Sequence, residues 1–170
     1  MVDQQALFLK LLDANHGRWR VIARSYAAED SEDLFQGILL QIWKSLSTFR
    51  GESSSSTWCY RVALNTALTW RRADQTRKKL LPMTGYAADV VTRTSNAKSD
   101  SSNVFESLIA TLAPTDRAIL LLALDDVSYA DMVSIVGSTE GALRVRVHRI
   151  KQQLAETAKT QNRLENDDGL

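Results

Sequence analysis

An all-α fold of two small helical domains joined by a flexible linker is what this 170-residue sequence predicts. Three observations carry the expectation. Only two prolines and seven glycines interrupt long stretches of Leu, Ala, Gln, Lys and Arg, residues that favour helix. Apolar residues recur at helical spacing, while strand-like alternation is scarce. Residues 82–102 are rich in Thr, Ser, Asn, Asp, Ala and Lys with no sustained apolar period, which is the composition of a linker. The organisation read from this is a first domain over 1–80, a linker over 81–103, a second domain over 104–158 and a polar tail over 159–170.

The elements follow in order. Residues 3–28 read as two short helices broken near Asn15-His16-Gly17. Ser31 is placed to cap a helix reaching about Leu46, with Leu34, Ile38 and Ile42 (or Leu39, Trp43 and Leu46) at helical spacing. After a Ser-rich loop, Thr57 is placed to cap a helix that runs to about Lys79, where Pro82 and Gly85 stop it. The second domain opens with Val104, Phe105, Leu108, Ile109 and Leu112 as an amphipathic turn sequence. Pro114 suits the first turn of the next helix, which holds Ile119–Leu122 and ends at Asp125-Asp126. Ser128 and Asp131 have the spacing of a capping box variant, with the carboxylate three residues after the hydroxyl. A short helix to Val136 then turns at Gly137, and Thr139 caps a last helix to about Ala158.

Composition bounds the function. The hydrophobic fraction of 44% and charged fraction of 24% are those of a soluble globular protein. Cys59 is the only cysteine, so no internal disulfide forms; with only His16 and His148 beside it no zinc set is readable. No N-terminal apolar run has the length of a signal peptide or membrane helix, so the reducing cytoplasm is the expected compartment, without membrane insertion. The net charge of +1 hides segregated charge. Glu29, Asp30, Glu32 and Asp33 form an acidic cluster, while Arg71, Arg72, Arg77, Lys78 and Lys79 form a basic one. Arg144, Arg146, Arg149 and Lys151 form a second basic cluster, and two such patches suit a long polyanion.

Residues 49–72, FRGESSSSTWCYRVALNTALTWRR, carry the most functional information. On a helix, Trp58, Arg61, Asn65, Thr69 and Arg72 fall on one stripe, while Cys59, Val62, Ala63, Thr66, Ala67 and Trp70 line much of the other side. One face can pack while the other offers stacking, amide and guanidinium groups, a surface suited to unpaired bases and their phosphates. At the other end of the chain, a short helix, a Gly turn and a longer helix make a helix-turn-helix pattern. In the last helix Leu143, Val147, Ile150 and Leu154 form a narrow buried stripe. Gly141, Arg144, Val145, His148, Arg149 and Gln152 lie opposite, where Arg can pair with guanine edges or phosphates.

Together these pieces resemble the extracytoplasmic-function (ECF) sigma factors of the sigma-70 family. In the first domain the resemblance rests on Asp33-Leu-Phe-Gln36 with Trp43, on Phe49-Arg-Gly-Glu-Ser53, on Ser56-Thr-Trp58, and on Arg61, Asn65 and Trp70-Arg-Arg72. In the second it rests on Leu112-Ala-Pro114, Ile119–Leu122, Ser128-Tyr129, Gly137 and Arg146-Val-His148-Arg149. The resemblance implies a subunit that directs bacterial RNA polymerase core to promoters. Asp33, Gln36 and Trp43 would dock on the beta-prime coiled coil, and the beta flap would be a further contact on core. The loop from Phe49 to Ser56, with Arg50, Ser53 and Trp58, would hold a base flipped out of the minus-10 element. Arg61, Asn65 and Arg72 would contact the non-template strand and the duplex just upstream. The helix from Thr139 would read the minus-35 element, with Arg144, Val145, His148 and Arg149 in the groove and Arg146 at its flank. An anti-sigma factor is implied as a further partner, and neither cofactor nor metal is expected.

The chain departs from the family pattern at four points. Gly37 stands where an acidic residue is usual, Val133 where a small one is frequent, and Val145 where a small polar one is common. The loop serines 53–56 lack the aromatic or aliphatic residue often seen there. Two other functions compete with this one. A helix-turn-helix regulator that binds duplex without melting it explains 104–156 but leaves the loop at 49–56 and the Trp-bearing helix idle. An enzyme finds no paired carboxylates in a cleft context, no phosphate loop and no Cys/His dyad at readable spacing.

Overall fold

The computed structural model describes residues 4–80, 105 and 107–167, with side chains as far as 160. Every regular element among them is helical. The chain divides into two compact units, Met1–Lys98 and Ser99–Leu170. The expected linker lies outside the described residues, as do the stop signals Pro82 and Gly85.

In the first unit α1 (Gln4–Tyr26), α2 (Ser31–Ser45) and α3 (Ser55–Leu80) each pack against the other two, and a 3-10 turn (Leu46–Thr48) follows α2. Leu34, Ile38 and Ile42 are fully buried, as their spacing predicts, and meet Trp19, Ile22, Tyr26, Cys59, Ala63, Leu64 and Ala67 in the core. One break expected near Asn15-His16-Gly17 is absent, because α1 is continuous. Leu11, Asn15, Trp19, Ile22 and Tyr26 keep a single buried stripe through it. The Asn15 amide, buried in that stripe, donates to the Leu11 carbonyl at 2.8 Å. Burial of such a stripe outweighs the roughly 1 kcal/mol cost of a mid-helix glycine.

Both helix starts lie one to three residues from the expected caps. Asp30, not Ser31, occupies the cap position of α2, without a side-chain cap bond; Glu32 and Asp33 put carboxylates in the positive first turn. Ser54, not Thr57, caps α3: its Oγ accepts from the Thr57 amide at 3.0 Å and lies 2.7 Å from Thr57 Oγ1. Near the end of α3, Asp74 is nearly buried and takes Lys78 Nζ at 2.8 Å and Arg77 Nη2 at 2.7 Å. The Lys78 hydrogen bond, aided by Arg77, holds its carboxyl below the usual carboxylate range. Arg77 also approaches Asp30 at 3.8 Å, tying α3 to the start of α2. Two residues of the basic cluster are thus engaged within the fold.

In the second unit residues 107–110 are helical, followed by α4 (Pro114–Leu124), α5 (Tyr129–Val136) and α6 (Glu140–Asp167). Ala113 is extended and Pro114 opens α4, where its missing N–H costs nothing. Asp126 takes a left-handed φ of 52°, which a short polar side chain tolerates, and the chain reverses there. Ser128 Oγ accepts from the Asp131 amide at 3.1 Å and lies 2.6 Å from Asp131 Oδ2, forming the expected box. Gly137, at φ 75°, closes α5 in the left-handed conformation that glycine adopts without strain. Thr139 Oγ1 accepts from the Ala142 amide at 3.3 Å, capping α6 as expected.

Ile109, Leu112, Ile119–Leu122, Met132, Leu143, Val147 and Ile150 fill the core of this unit. The buried Arg117 donates from Nη2 to the Ala110 and Leu112 carbonyls at 2.8 and 3.2 Å, bracing the turn before α4. α6 runs to Asp167, nine residues past its expected end. The supposed tail QNRLEND consists largely of good helix formers, and no proline or glycine interrupts it.

Candidate functional site

In the first unit the chain leaves α2 through the 3-10 turn, bends at Gly51 (φ 73°) and enters α3 at Ser55. This path encloses a hollow of about 520 Å³ lined by Ser47, Thr48, Phe49, Arg50, Glu52, Ser53, Trp58 and Arg61. Phe49 and Trp58 make its aromatic wall, with ring centroids 5.1 Å apart and planes inclined at 47°. Thr48 Oγ1 donates to the Ser45 carbonyl at 2.7 Å, which secures the turn beneath. The hollow carries stacking surface, hydroxyls, one carboxylate and two guanidinium groups.

Phe49, Arg50, Ser53, Trp58 and Arg61 are thus brought together with Glu52 of the same loop, and Ser47 and Thr48 join them although sequence reasoning passed over these two. Both lie in the 3-10 turn before the loop, which no motif or periodicity in the sequence marks. Two other expectations change. Trp58 is only 6% exposed, so it is a wall of the hollow and part of the core, not a platform on the open stripe with Arg61 and Asn65. Ser56 lies within α3 and donates to Asn15 Oδ1 at 3.5 Å, away from the hollow. Ser55 is also helical and Ser54 is the cap, so Ser53 alone of these serines lines the cavity.

Farther along α3, Asn65 borders a second, shallower hollow of about 540 Å³ with Gln41, Ser45, Val62, Thr66, Thr69 and Trp70. Arg72 is exposed beyond it. On α2, Asp33, Gln36, Leu40 and Trp43 form one exposed stripe at helical spacing. Trp43 is 38% and Leu40 53% exposed, the latter unremarked in the sequence. Trp43 is held edge-on by Phe8 at 5.2 Å, and its carbonyl accepts from Gln4 Nε2 at 3.1 Å.

In the second unit Gly141, Arg144, Val145, Arg146, His148 and Arg149 are all exposed on α6. The two arginines nearest the helix start lie at opposite edges of this face. Arg144 stacks over the Tyr129 ring of α5, 4.2 Å from its centroid, and meets Glu140 Oε2 at 3.5 Å. Arg146 donates to Asp116 of α4. Between them stand Val145, His148 and Arg149, with Val145 59% exposed. Arg149 and Arg146 share a hollow with Asp116, Gly141, Ala142, Val145, Ile150 and Gln153. The hydroxyl of Thr139 is committed to the cap. Arg144, expected to face the groove, and Arg146, expected at its flank, thus stand at the two edges of one exposed face.

Among the described residues no group of three or more His, Cys, Asp or Glu could hold a metal ion. Cys59 is fully buried, and burial pushes its thiol up to about 12, which keeps it protonated and unreactive. No described helix is long and apolar enough to cross a membrane.

A helical unit with an aromatic hollow and a second unit with a helix-turn-helix have the make-up of a DNA-binding protein. Residues 11–77 match the family described as sigma-70 region 2, and residues 102–154 match sigma-70 region 4. The chain belongs to the ECF sigma factors of the sigma-70 family. It is 26% identical to the ECF RNA polymerase sigma-E factor of Escherichia coli (strain K12) over 165 residues, covering 89% of this chain and 86% of that one. The ECF RNA polymerase sigma-E factor of Haemophilus influenzae is 27% identical over 146 residues, covering 79% and 77%. Two solved structures share the fold. The sigma factor RpoE in complex with the anti-sigma factor NepR from Bartonella quintana matches with a TM-score of 0.64 at 22% identity, over 94% of this chain and 98% of that one. CnrH in complex with the cytosolic domain of CnrY matches with a TM-score of 0.65 at 17% identity, over 94% and 91%.

Proposed function

We propose that this chain directs bacterial RNA polymerase core to specific promoters, reading the minus-35 element as duplex and the minus-10 element as melted strand. The observation that carries the reading is the pairing, in one chain and in family order, of a region 2 unit holding an aromatic hollow with a region 4 unit holding a helix-turn-helix. A regulator that binds only duplex has no use for the hollow.

The residues divide the work as follows. The α2 stripe of Asp33, Gln36 and Trp43, with Leu40 added, docks on the beta-prime coiled coil. The hollow at Phe49, Arg50, Ser53, Trp58 and Arg61 receives a base flipped from the minus-10 element. Flipping costs a few kcal/mol of stacking, which the Phe49–Trp58 wall and the polar rim return. Asn65 and Arg72 guide the strand and the adjoining duplex along α3. Arg144, Val145, His148 and Arg149 face the minus-35 major groove, with Arg146 at its flank, and the Val145 methyls suit a thymine methyl. Ser56 has no part in this division, since it faces Asn15. Each contact is weak alone, and polymerase joins them by fixing their separation.

Such a subunit performs no chemistry of its own and acts where promoter DNA and polymerase are, in the cytoplasm. The fold-related structures are complexes with NepR and CnrY, so a protein partner that covers the polymerase-binding surfaces and withholds the chain from core is part of this reading. Run-off transcription with purified core tests it. The chain plus core, on a promoter selected by that holoenzyme, yields one discrete start with no other sigma factor present. Transcripts that appear only when a second sigma factor is added would make it a regulator.

A further inference from the structure

We infer that Tyr129 sets the base preference at one minus-35 position by holding Arg144 in its reading pose, without touching DNA itself. The inference rests on the reading of α6 as the minus-35 helix. Arg144 lies on the first turns of α6, where a recognition helix enters the major groove. Its guanidinium carbon lies 4.2 Å from the centroid of the Tyr129 ring, and Tyr129 is half-buried at the start of α5. The box of Ser128 and Asp131 secures that start, so the ring sits on an anchored backbone. Glu140, one turn earlier on α6, approaches Arg144 Nη2 at 3.5 Å.

Two restraints from different directions act on one exposed side chain. The ring covers a face of the guanidinium, and the carboxylate draws one edge. What remains for a ligand are donors in the guanidinium plane. Donors in a plane fit the O6 and N7 acceptors of guanine, which lie side by side in the major groove. A phosphate clamp needs no such restraint, because a flexible arginine tracks phosphate from many rotamers. An unstacked Arg144 would spread over its rotamers and lose more entropy when it binds. Arg146, at the opposite edge, is tied by an acid on α4 rather than stacked on a ring, so the two flanks are not equivalent. Tyr129 is thus a positioning residue, and Arg144 is the group it positions.

The test loads core polymerase with the full chain carrying Tyr129→Leu, Tyr129→Phe, Arg144→Ala or no substitution. Each holoenzyme then selects from a promoter library randomised at minus-35, at one fixed salt concentration. The parent enriches guanine at one position, and Arg144→Ala reduces that enrichment about tenfold. Tyr129→Leu reduces it at the same position about two- to fivefold, the size of an exposed cation–π contact, and leaves the other positions alone. Tyr129→Phe keeps the ring face and restores the parent pattern. Tyr129→Met replaces Tyr129→Leu in the comparison if the leucine chain melts early. A uniform loss across all positions with Tyr129→Leu, or a Tyr129→Phe chain no better than the leucine one, overturns the proposal. If Arg144→Ala and Arg149→Ala both leave every minus-35 preference intact, α6 is not the reader, and that failure is distinct from the others.

Discussion

The two units offer surfaces of opposite shape. The first offers a concavity walled by Phe49 and Trp58 and closed by a loop, whereas the second offers the convex face of α6, with charged side chains standing outward. On the proposed function, the difference follows from the state of the DNA each would recognise. An unpaired base has lost its stacking partners, and only an enclosing aromatic surface returns that energy. A paired base keeps its neighbours and shows only an edge, so a rigid protruding helix is sufficient. The residues that support each site differ accordingly. Trp58 belongs at once to the hollow and to the core of its unit, while no exposed residue of the α6 face is needed to fill a core.

The largest expected effect comes from breaking that overlap. Trp58→Ala removes a buried aromatic and a wall of the hollow together, at a cost of about 3–5 kcal/mol to the first unit. Thermal melting should show the loss, and open-complex formation should fail on matched and on premelted promoters alike. Trp58→Phe retains most of the wall and should recover much of both. If Trp58→Ala leaves the melting curve unmoved, the wall is not part of the core and the contrast between the units collapses.

A smaller pair of substitutions sharpens the comparison without unfolding anything. Arg149→Ala should weaken binding of the holoenzyme to minus-35 duplex by about 1–3 kcal/mol if the side chain makes a base contact. Opening of a premelted template should be spared. Asn65→Ala should do the reverse, sparing duplex binding and impairing opening or minus-10 choice. Fluorescence anisotropy on duplex and permanganate footprinting of the opened strand separate the two. Equal losses on duplex binding would mean that the two surfaces do not divide duplex from single strand.

Much of this could be read from the chain, and the misreadings share a cause. The helix-turn-helix was legible because its signals are local: a capping box at Ser128, a left-handed Gly137 and a Thr139 cap lie within a dozen residues and agree. The core stripe of α2 was legible from spacing alone. The hollow was only partly legible, since Ser47 and Thr48 enter it from the 3-10 turn before the loop, which no periodicity reports. Trp58 was placed on the open stripe because a helical wheel knows nothing of the neighbouring helices that bury it. The glycine signal misled in the same way at Gly17, where the packing of α1 on α2 and α3 outweighed propensity. The basic cluster at the end of α3 looked like a free polyanion patch, but an acid within it, Asp74, claims Arg77 and Lys78.

That acid gives the next prediction down in size. Asp74→Asn should cost about 1 kcal/mol, because the carboxylate is nearly buried while its partners stand mostly in water. In a unit of this size that lowers Tm by roughly 4–8 °C. The pH dependence has a definite sign. The Asp74 carboxyl is held below its ordinary value in the folded chain, chiefly by Lys78. Its contribution is therefore fully present above the unfolded pKa of about 3.9 and is lost as pH falls through the folded value. The gap in Tm between parent and Asp74→Asn should be constant near neutrality and close in acid. A gap that persists in acid would assign the effect to packing and not to charge.

The smallest effect should come from the flank of α6. Arg146 and Asp116 join α6 to α4 at the surface, with side chains 48% and 24% exposed, and such pairs contribute about 0–1 kcal/mol. Asp116→Asn should therefore barely move Tm. Its consequence for DNA is more telling, because the substitution removes a negative charge beside the reading face and frees Arg146 for phosphate. The dependence of minus-35 binding on salt should steepen, by up to about 0.9 in the slope of log affinity on log salt for one added phosphate contact. Base preference should stay as it was. If preference changes at a position while the slope does not, Arg146 reads a base from a pose that Asp116 maintains. The two flanks of α6, stacked Arg144 and paired Arg146, would then perform one task by two different restraints.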